Sequence, residues 1–248
     1  MSLQKRTEGI FEFSLAEPGC RPYHGINSID EIIAEARAGR CFVLIDDSAR
    51  DCVADIVLPA QFVTGEILER MHRSARGLIR LALTTERINH LKLQTMAYRC
   101  RGNGSQITLS IEAKRTKITG GLWGDRARTI AVAIDQKSEP GAICSPGKLF
   151  AHVGARAGVL GCAGRSEGAI AISDFAGLNP SAVLCEVMGS DGPLQSVPDF
   201  RRFARHHGLK MAFVSDIVAY RLNDPRAKHP GLIFWSKSVR NAFQVDRQ

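Results

Sequence analysis

Carboxylates are concentrated in one short stretch of the first quarter of the sequence. Four aspartates and one arginine lie within ten residues, namely Asp46, Asp47, Asp51, Asp55 and Arg50. Grouped carboxylates can hold a divalent cation, remove protons from carbon acids or bind sugar hydroxyls. The same residues can also form a solvated turn, so the pattern leaves a catalytic and a purely structural interpretation open.

A glycine-rich segment, GCAGRSEG at residues 161–168, is a second candidate site. A glycine turn that leads into a helix exposes backbone N–H groups and the positive end of the helix dipole, which suits an anion. Arg165 adds a planar cation that fits phosphate or carboxylate, and Ser166 is the predicted N-cap of the helix. The alternative is a glycine turn that only packs against a sheet.

A third segment, GGLWGDRART at residues 120–129, places an acid and a base at the start of a predicted helix. Asp125 and Arg126 could reach a ligand from that helix terminus. The commoner outcome for such residues is a capping carboxylate beside a surface ion pair. Both interpretations stay open at this point.

The composition argues against several functional classes. The 248 residues carry a net charge of +8 but only 6% aromatic residues, and the basic residues are dispersed. Nucleic-acid binding is therefore not expected, because a base-stacking platform needs aromatic side chains among the charges. The seven cysteines form no CxxC pair, and the adjacent His206 and His207 cannot face one ion from a helix. Reduced thiols, with no apolar leader and no membrane span, predict a cytoplasmic protein.

Hydrophobic periodicity predicts the elements that position these residues. Ser28 and Glu31 have capping-box spacing for a helix that ends near Gly39, and residues 41–45 form an apolar strand that leads into the aspartates. Residues 106–113 alternate between polar and apolar, which predicts one strand with Thr108 and Ser110 on its polar face. The other predicted elements are helices from Thr64, from Asp125 to about Asp135, from Ser166 to Gly177, at 198–208 and at 215–222, and strands at 78–83 and 211–214.

Helices and strands alternate irregularly in this prediction, with no repeat and no low-complexity linker. We therefore expect a single α+β domain, a mixed sheet packed with helices, over residues 28–222. Residues 1–27 are predicted to be an N-terminal arm and residues 223–248 a C-terminal extension.

A series of motifs resembles the 3,4-dihydroxy-2-butanone 4-phosphate synthase family. In order, the motifs are GRCFVLIDD, RGLIRLALT, TLSIEA, TGGLWGDRARTI, SPGKLF, GVLGCAGRSEGA, CEVM and DIVAYRL. Their order and spacing agree with that family from about Ser28 to Leu222. The resemblance implies the mixed α+β fold and a homodimer with active sites at the subunit interface. It also implies conversion of ribulose 5-phosphate, with Mg²⁺, into a four-carbon ketone phosphate and formate for riboflavin synthesis.

Several positions depart from what the resemblance implies for the metal site. The family's acidic loop reads roughly R-E-N-E-G-D, and this chain has Asp51 for the first glutamate, a metal ligand, and Val53 for the second, while Asp55 is kept. Arg165 stands where the family has its other metal ligand, a histidine, and a permanent cation cannot replace it. The remaining departures are Arg80 for a cysteine, Lys148 for a histidine and Cys162 for a phosphate-binding arginine. The positions that match are Thr108, Ser110, Thr119, Asp125, Arg126 and Glu186.

Three cations thus enter the expected pocket, and they suggest a modified chemistry. The main hypothesis is an enzyme, repurposed for specialised biosynthesis, that enolises, cleaves or rearranges a small anionic metabolite. No metal or other cofactor is expected, and Asp51 is the one residue that would bind Mg²⁺ if the family reaction is retained. Roles are assigned as follows: proton transfer to Asp51, Asp55 and Glu186; anion binding to Arg165, Ser166, Thr108, Ser110, Asp125 and Arg126; charge stabilisation to Arg80 and to Lys148, whose pKa two neighbouring arginines would lower.

Two alternatives remain beside that hypothesis. One is the unmodified synthase reaction with a rebuilt cation site, and the other is a non-catalytic binding homologue. Convergence of Arg80, Lys148 and Arg165 on one cavity separates an active pocket from relaxed surface substitutions.

Overall fold

The structure is a computed structural model, and it describes residues 26–47, 52–96, 106–114, 121–189, 192, 194 and 196–224. The predictions for Asp51, Thr119, most of the N-terminal arm and most of the C-terminal extension lie outside these residues. Within them, no helix combines the length and the hydropathy needed to cross a membrane.

The described residues form one mixed β-sheet that carries the site. Its strands are β1 (Phe42–Asp46), β2 (Val53–Pro59), β3 (Arg76–Thr84), β4 (Gln106–Ile107), β5 (Ile111–Ala113), β6 (Ile143–Gly154), β7 (Ser181–Val187) and β8 (Lys210–Phe213). They follow the order β4-β6-β3-β7-β2-β1-β8, and β5 pairs with β6 beside that path. The β3–β6 and β1–β8 pairs are parallel and the others antiparallel, so the predicted mixed sheet is confirmed.

Helices cover both faces of this sheet. They are α1 (Ile29–Arg37), α2 (Gly65–Ala75), α3 (Thr85–His90), α4 (Gly121–Ile134), α5 (Arg165–Phe175), α6 (Val197–His207) and α7 (Val214–Asn223). Along β1, Phe42 and Leu44 belong to the core under α1, α5 and α7, whereas Val43 and Ile45 belong to the core under α2, α4 and α6. This alternation gives the sheet two buried faces and makes the molecule a helix–sheet–helix sandwich.

Local signals predicted several of these elements correctly. The capping box of Ser28 and Glu31 is formed in both directions. Thr64 caps α2 through the N–H of Ile67, and Gly208 ends α6 in the left-handed region with φ of 64°. At these three termini the residue predicted from capping chemistry is the one that ends the helix, whereas α3, which Thr84 caps through the N–H of Arg87, was not predicted.

Three predicted boundaries are wrong. The helix around Asp125 begins at Gly121, so Asp125 lies inside the helix and is not its N-cap. The N-cap of α5 is Gly164, which places Ser166 inside the first turn. The predicted strand 106–113 is divided into β4 and β5, because Thr108 makes an isolated bridge to Thr95 and β6 exchanges partners at that point.

Candidate active site

Strand pairing brings two carboxylates face to face on the α5 side of the sheet. Asp55 of β2 lies directly opposite Glu186 of β7, and Asp55 also pairs with Leu44 of β1. Leu44 is part of the core under α5, so both carboxylates point to that side. Like charges on opposed residues of neighbouring strands are destabilising unless a cation lies between them.

Gly77 of the adjacent strand β3 allows Arg80 to supply one such cation. The register of β3 against β7 shifts between Arg76 and Ile79, and beyond the shift Arg80 lies opposite Leu184. At Gly77 an added Cβ would lie 2.2 Å from the carbonyl oxygen of Glu186, so only glycine allows this close approach. Arg80 consequently shares the face of the two carboxylates.

The second cation comes from the first turn of α5. Arg165 Nη1 lies 2.9 Å from Asp55 Oδ2 and 3.5 Å from Glu186 Oε2. Arg80 Nη2 donates to Asp55 Oδ1 and lies 4.0 Å from Glu186 Oε2. These four residues, Asp55, Arg80, Arg165 and Glu186, are called the arginine cluster below. Two guanidinium groups thus stand between the facing carboxylates.

Burial divides the arginine cluster into a fixed part and an accessible part. The side chain of Asp55 is fully buried, while those of Arg80 and Arg165 are 14% and 18% exposed and that of Glu186 is 28% exposed. Asp55 Oδ2 accepts no aligned hydrogen bond, although Arg165 lies beside it. Asp55 therefore serves as the buried counterion, and Glu186 is the carboxylate that solvent or a ligand can reach.

His152 of β6 adjoins the arginine cluster and was missed by the sequence analysis. Its Nδ1 lies 3.3 Å from Ser166 Oγ, which sits in the first turn of α5. Burial and, after it, the nearby guanidinium of Arg80 lower the pKa of His152 to about 4. Alternation along β6 places Lys148, Phe150 and His152 on one face, but only the pairing of β6 with β3 brings His152 beside Arg80, and the sequence of this segment gives no signal of that pairing.

Among the described residues, Lys148 forms no hydrogen bond or ion pair with a member of the arginine cluster. Its Nζ lies 3.4 Å from Asp125 Oδ2 and 3.7 Å from Glu112 Oε1, and its side chain is 46% exposed. These three residues are called the lysine cluster below. Arg126 Nε donates to the carbonyl oxygen of Lys148, and its guanidinium lies 5.0 Å from the centre of the Trp123 ring. The expectation that two arginines crowd Lys148 is thus corrected, because carboxylates flank it instead.

Two hydroxyls predicted to bind a ligand are engaged by the backbone. Thr108 is fully buried, and its Oγ1 accepts a hydrogen bond from the N–H of Ala151 at 3.2 Å. Ser110 Oγ accepts from the N–H of Gly147 at 3.1 Å. Thr108 therefore joins β6 to the segment that follows β4, and a ligand cannot reach its buried hydroxyl.

The aspartate-rich stretch does not act as one group in the described residues. Asp47 accepts from Ser215, with Oδ2 2.5 Å from Ser215 Oγ and Oδ1 3.2 Å from the backbone nitrogen, so it binds the first turn of α7. Asp46 ends β1, and Asp55 belongs to the arginine cluster. Cys162, near Asp46, has a pKa raised to about 11, chiefly by burial and then by Glu167 and Asp46, so it is a poor nucleophile.

The described residues do not fit a divalent cation. They contain no group of three histidine, cysteine or acidic side chains arranged to hold a metal. Guanidinium nitrogens already lie within 4.0 Å of both facing carboxylates, and a permanently charged guanidinium repels a second cation. The arrangement can instead bind anionic oxygen atoms, and Glu186 can exchange a proton with a ligand placed beside them.

Comparison with known proteins gives the family. Residues 30–220 match the model of the 3,4-dihydroxy-2-butanone 4-phosphate synthase family. A protein of that name from Pseudomonas aeruginosa is 37% identical over 198 residues, which are 79% of this chain and 54% of the relative. The chain spans between about a third and about half of the length of the first curated relatives it matches.

Two solved structures agree with this match. A two-domain 3,4-dihydroxy-2-butanone 4-phosphate synthase from A. baumannii superposes with a TM-score of 0.75 and 32% identity, over 81% of this chain and 59% of that one. A 3,4-dihydroxy-2-butanone 4-phosphate synthase in complex with two magnesium ions superposes with a TM-score of 0.73 and 27% identity, over 82% of this chain and all of that one. The fold and the extent of the match lead to one conclusion: the chain belongs to the 3,4-dihydroxy-2-butanone 4-phosphate synthase family.

Proposed function

We propose that this chain is an enzyme of the family that enolises a small anionic carbonyl compound without a tightly held Mg²⁺. The observation that supports the proposal is the arginine cluster. Its two guanidinium groups lie between two facing carboxylates and so occupy the place where a cation is needed to offset the two negative charges. The product then forms by elimination, rearrangement or carbon–carbon cleavage. We assign this reaction to a specialised biosynthetic pathway. The active assembly is proposed to be a homodimer with sites at the subunit interface.

The exposures and distances within the arginine cluster assign the roles. Glu186 is the more exposed carboxylate and has the longer contacts, at 3.5 and 4.0 Å, so it is the proposed base that removes the proton. Asp55 stays buried as the counterion that fixes both guanidinium groups. Arg80 and Arg165 then stabilise the negative charge that develops on the substrate oxygen, which is the task of a metal in other enolising sites.

The chemistry of the guanidinium groups and of the helix start, and not a net positive charge, is the reason why an anionic substrate is proposed. The arginine cluster contains two positive and two negative side chains, so it is close to neutral before a ligand binds. A phosphate or carboxylate that contacts the guanidinium groups relaxes their hold on Glu186. The start of α5 adds its backbone N–H groups and helix dipole on the same side.

Proton exchange in deuterated water tests this function directly. The protein is treated with EDTA and incubated with a panel of sugar phosphates and short 2-oxo acids, and deuterium incorporation next to the carbonyl is followed by NMR. We expect exchange with at least one compound, no acceleration by Mg²⁺, and a loss of roughly 10²–10⁴-fold in Glu186→Gln. Asp174→Asn, an exposed change on α5 away from the arginine cluster, is the control.

Two outcomes would contradict the proposal. Release of formate from ribulose 5-phosphate that depends on Mg²⁺ would establish the reaction implied by the relatives' names. Absence of exchange across the panel, with and without Mg²⁺, would favour a non-catalytic binding protein.

A further inference from the structure

His152 occupies a position from which it can contact a ligand held by the arginine cluster. It lies on β6 directly beside Ala82 of β3, two residues along that strand from Arg80. Since Arg80 pairs with Phe150, the side chains of Arg80, Phe150 and His152 share one face of the sheet. The start of α5, with Arg165 and Ser166, covers that face.

The two ring nitrogens of His152 have different surroundings. Nδ1 is 3.3 Å from Ser166 Oγ, and Ser166 is buried. Nε2 has no hydrogen-bond partner among the described residues, yet it is not one of their buried unpaired polar atoms. Nε2 is therefore not completely enclosed by these residues, and Ser166 contacts the opposite edge of the ring.

The charged groups around His152 favour an uncharged ring. Arg80 on β3 and Arg165 on α5 disfavour the imidazolium, Asp55 on β2 favours it, and burial disfavours it most strongly. The paired residues of β4, Gln106 and Ile107, bring no charge. The balance holds the pKa of His152 at about 4, so the ring is neutral at physiological pH.

We propose that His152 is a catalytic residue that donates a hydrogen bond from Nε2 to the carbonyl oxygen of the substrate, while Ser166 Oγ donates to Nδ1 and fixes the tautomer. This inference rests on the proposed function and identifies the substrate group that faces β6. As the base removes the proton, negative charge grows on the carbonyl oxygen and the Nε2–H bond strengthens. His152 itself neither gains nor loses a proton.

A neutral imidazole suits this task better than an imidazolium. A site that already holds two guanidinium groups gains little from a third full positive charge, which would repel them. A neutral ring with a lowered pKa near a helix N-terminus can polarise a carbonyl, as documented for other enolising sites. The ligand class is thus an enolisable aldehyde or ketone that also carries a phosphate or carboxylate.

Infrared spectroscopy of a bound carbonyl tests the inference. Dihydroxyacetone phosphate labelled with ¹³C at the carbonyl is bound to the EDTA-treated protein, and its stretching frequency is compared with that in water. We expect a shift to lower frequency in the wild type, loss of that shift in His152→Phe, and partial retention in His152→Gln, whose amide can still donate. Deuterium exchange should fall about 10²-fold in His152→Phe with little change in KM.

The tautomer supplies a readout that needs no substrate. Long-range ¹H–¹⁵N spectra of the full chain should show one histidine that carries its proton on Nε2 and stays neutral down to about pH 5, absent from His152→Gln. An imidazolium at pH 7, or an unchanged carbonyl shift in a folded His152→Phe, would overturn the inference. Failure of the wild type to bind any carbonyl anion would count against the proposed function, whereas binding without a carbonyl shift would overturn this inference alone.

Discussion

The arginine cluster and the lysine cluster both combine basic and acidic side chains, but in very different surroundings. In each cluster, a basic side chain lies within 4.0 Å of two carboxylates. In the arginine cluster Asp55 is fully buried, whereas in the lysine cluster the side chain of Lys148 is 46% exposed. The comparison shows that burial, more than the number of charges, decides which group has a defined geometry.

The chemistry of the two cations follows the same division. A guanidinium is planar, keeps its charge when buried and can contact two carboxylates at once, as Arg165 does with Asp55 and Glu186. An ammonium is a compact charge on a flexible stem, and at an exposed position it exchanges readily with water. The arginine cluster is therefore suited to preorganised catalysis, whereas the single cation of the lysine cluster remains in contact with water.

The largest difference between the clusters should appear when one cation is removed. Arg80→Leu leaves Asp55 buried with a single guanidinium, and we expect a loss of about 3–5 kcal/mol in the free energy of unfolding, measured in urea. The double variant Arg80→Leu with Asp55→Leu should be less destabilised than the two single variants added together. A loss below about 1 kcal/mol in Arg80→Leu would show that the arginine cluster behaves like a surface pair.

A smaller effect is expected from the pH dependence of His152. Its folded-state pKa is about 4, below the value near 6.5 of the unfolded chain. The unfolded state therefore takes up the proton first as pH falls. The contribution to stability is complete above about pH 6.5 and is lost between there and about pH 4.

Chemical denaturation across this pH window measures the contribution of His152. The wild type should lose about 2–3 kcal/mol more than His152→Gln between pH 7 and pH 4. The difference between the two proteins removes the titration of the carboxylates they share. Parallel curves would mean that His152 titrates alike in the folded and the unfolded chain.

The smallest effect is expected at the lysine cluster. Lys148→Met should change the free energy of unfolding by less than about 1 kcal/mol, because exposed ion pairs contribute little. Its effect should shrink further at high salt, whereas that of Arg80→Leu should be largely independent of salt. A loss at Lys148 as large as that at Arg80 would remove the distinction between the two clusters.

The sequence predicted the scaffold better than the site. The residues of the motifs and their order along the chain identified the family, and both can be read directly from the sequence. The convergence of Arg80 and Arg165 also follows from their family positions. The separate surroundings of Lys148 do not, because they depend on Glu112 and Asp125, which come from a short strand and a helix whose predicted bounds were wrong.

His152 and Thr108 illustrate why the remaining features were out of reach. The strand that carries His152 contains Pro146 and Gly147, so it lacks the continuous apolar pattern of a central strand. Thr108 lies in an alternating segment that predicts a polar face, but its hydroxyl binds the backbone of β6. Both roles arise from pairing between distant segments, which periodicity along one segment does not report.

Because Asp55 and Glu186 lie opposite each other, the order in which substitutions are introduced into the arginine cluster affects the stability of the intermediates. Two carboxylates on paired strands require a cation at every step, since a molecule that lacks one has two charges in conflict. Replacing both arginines first passes through such a molecule, whereas neutralising both Asp55 and Glu186 first does not. The same set of final substitutions can therefore be reached by one order of mutation and blocked in another, which is epistasis with an electrostatic cause.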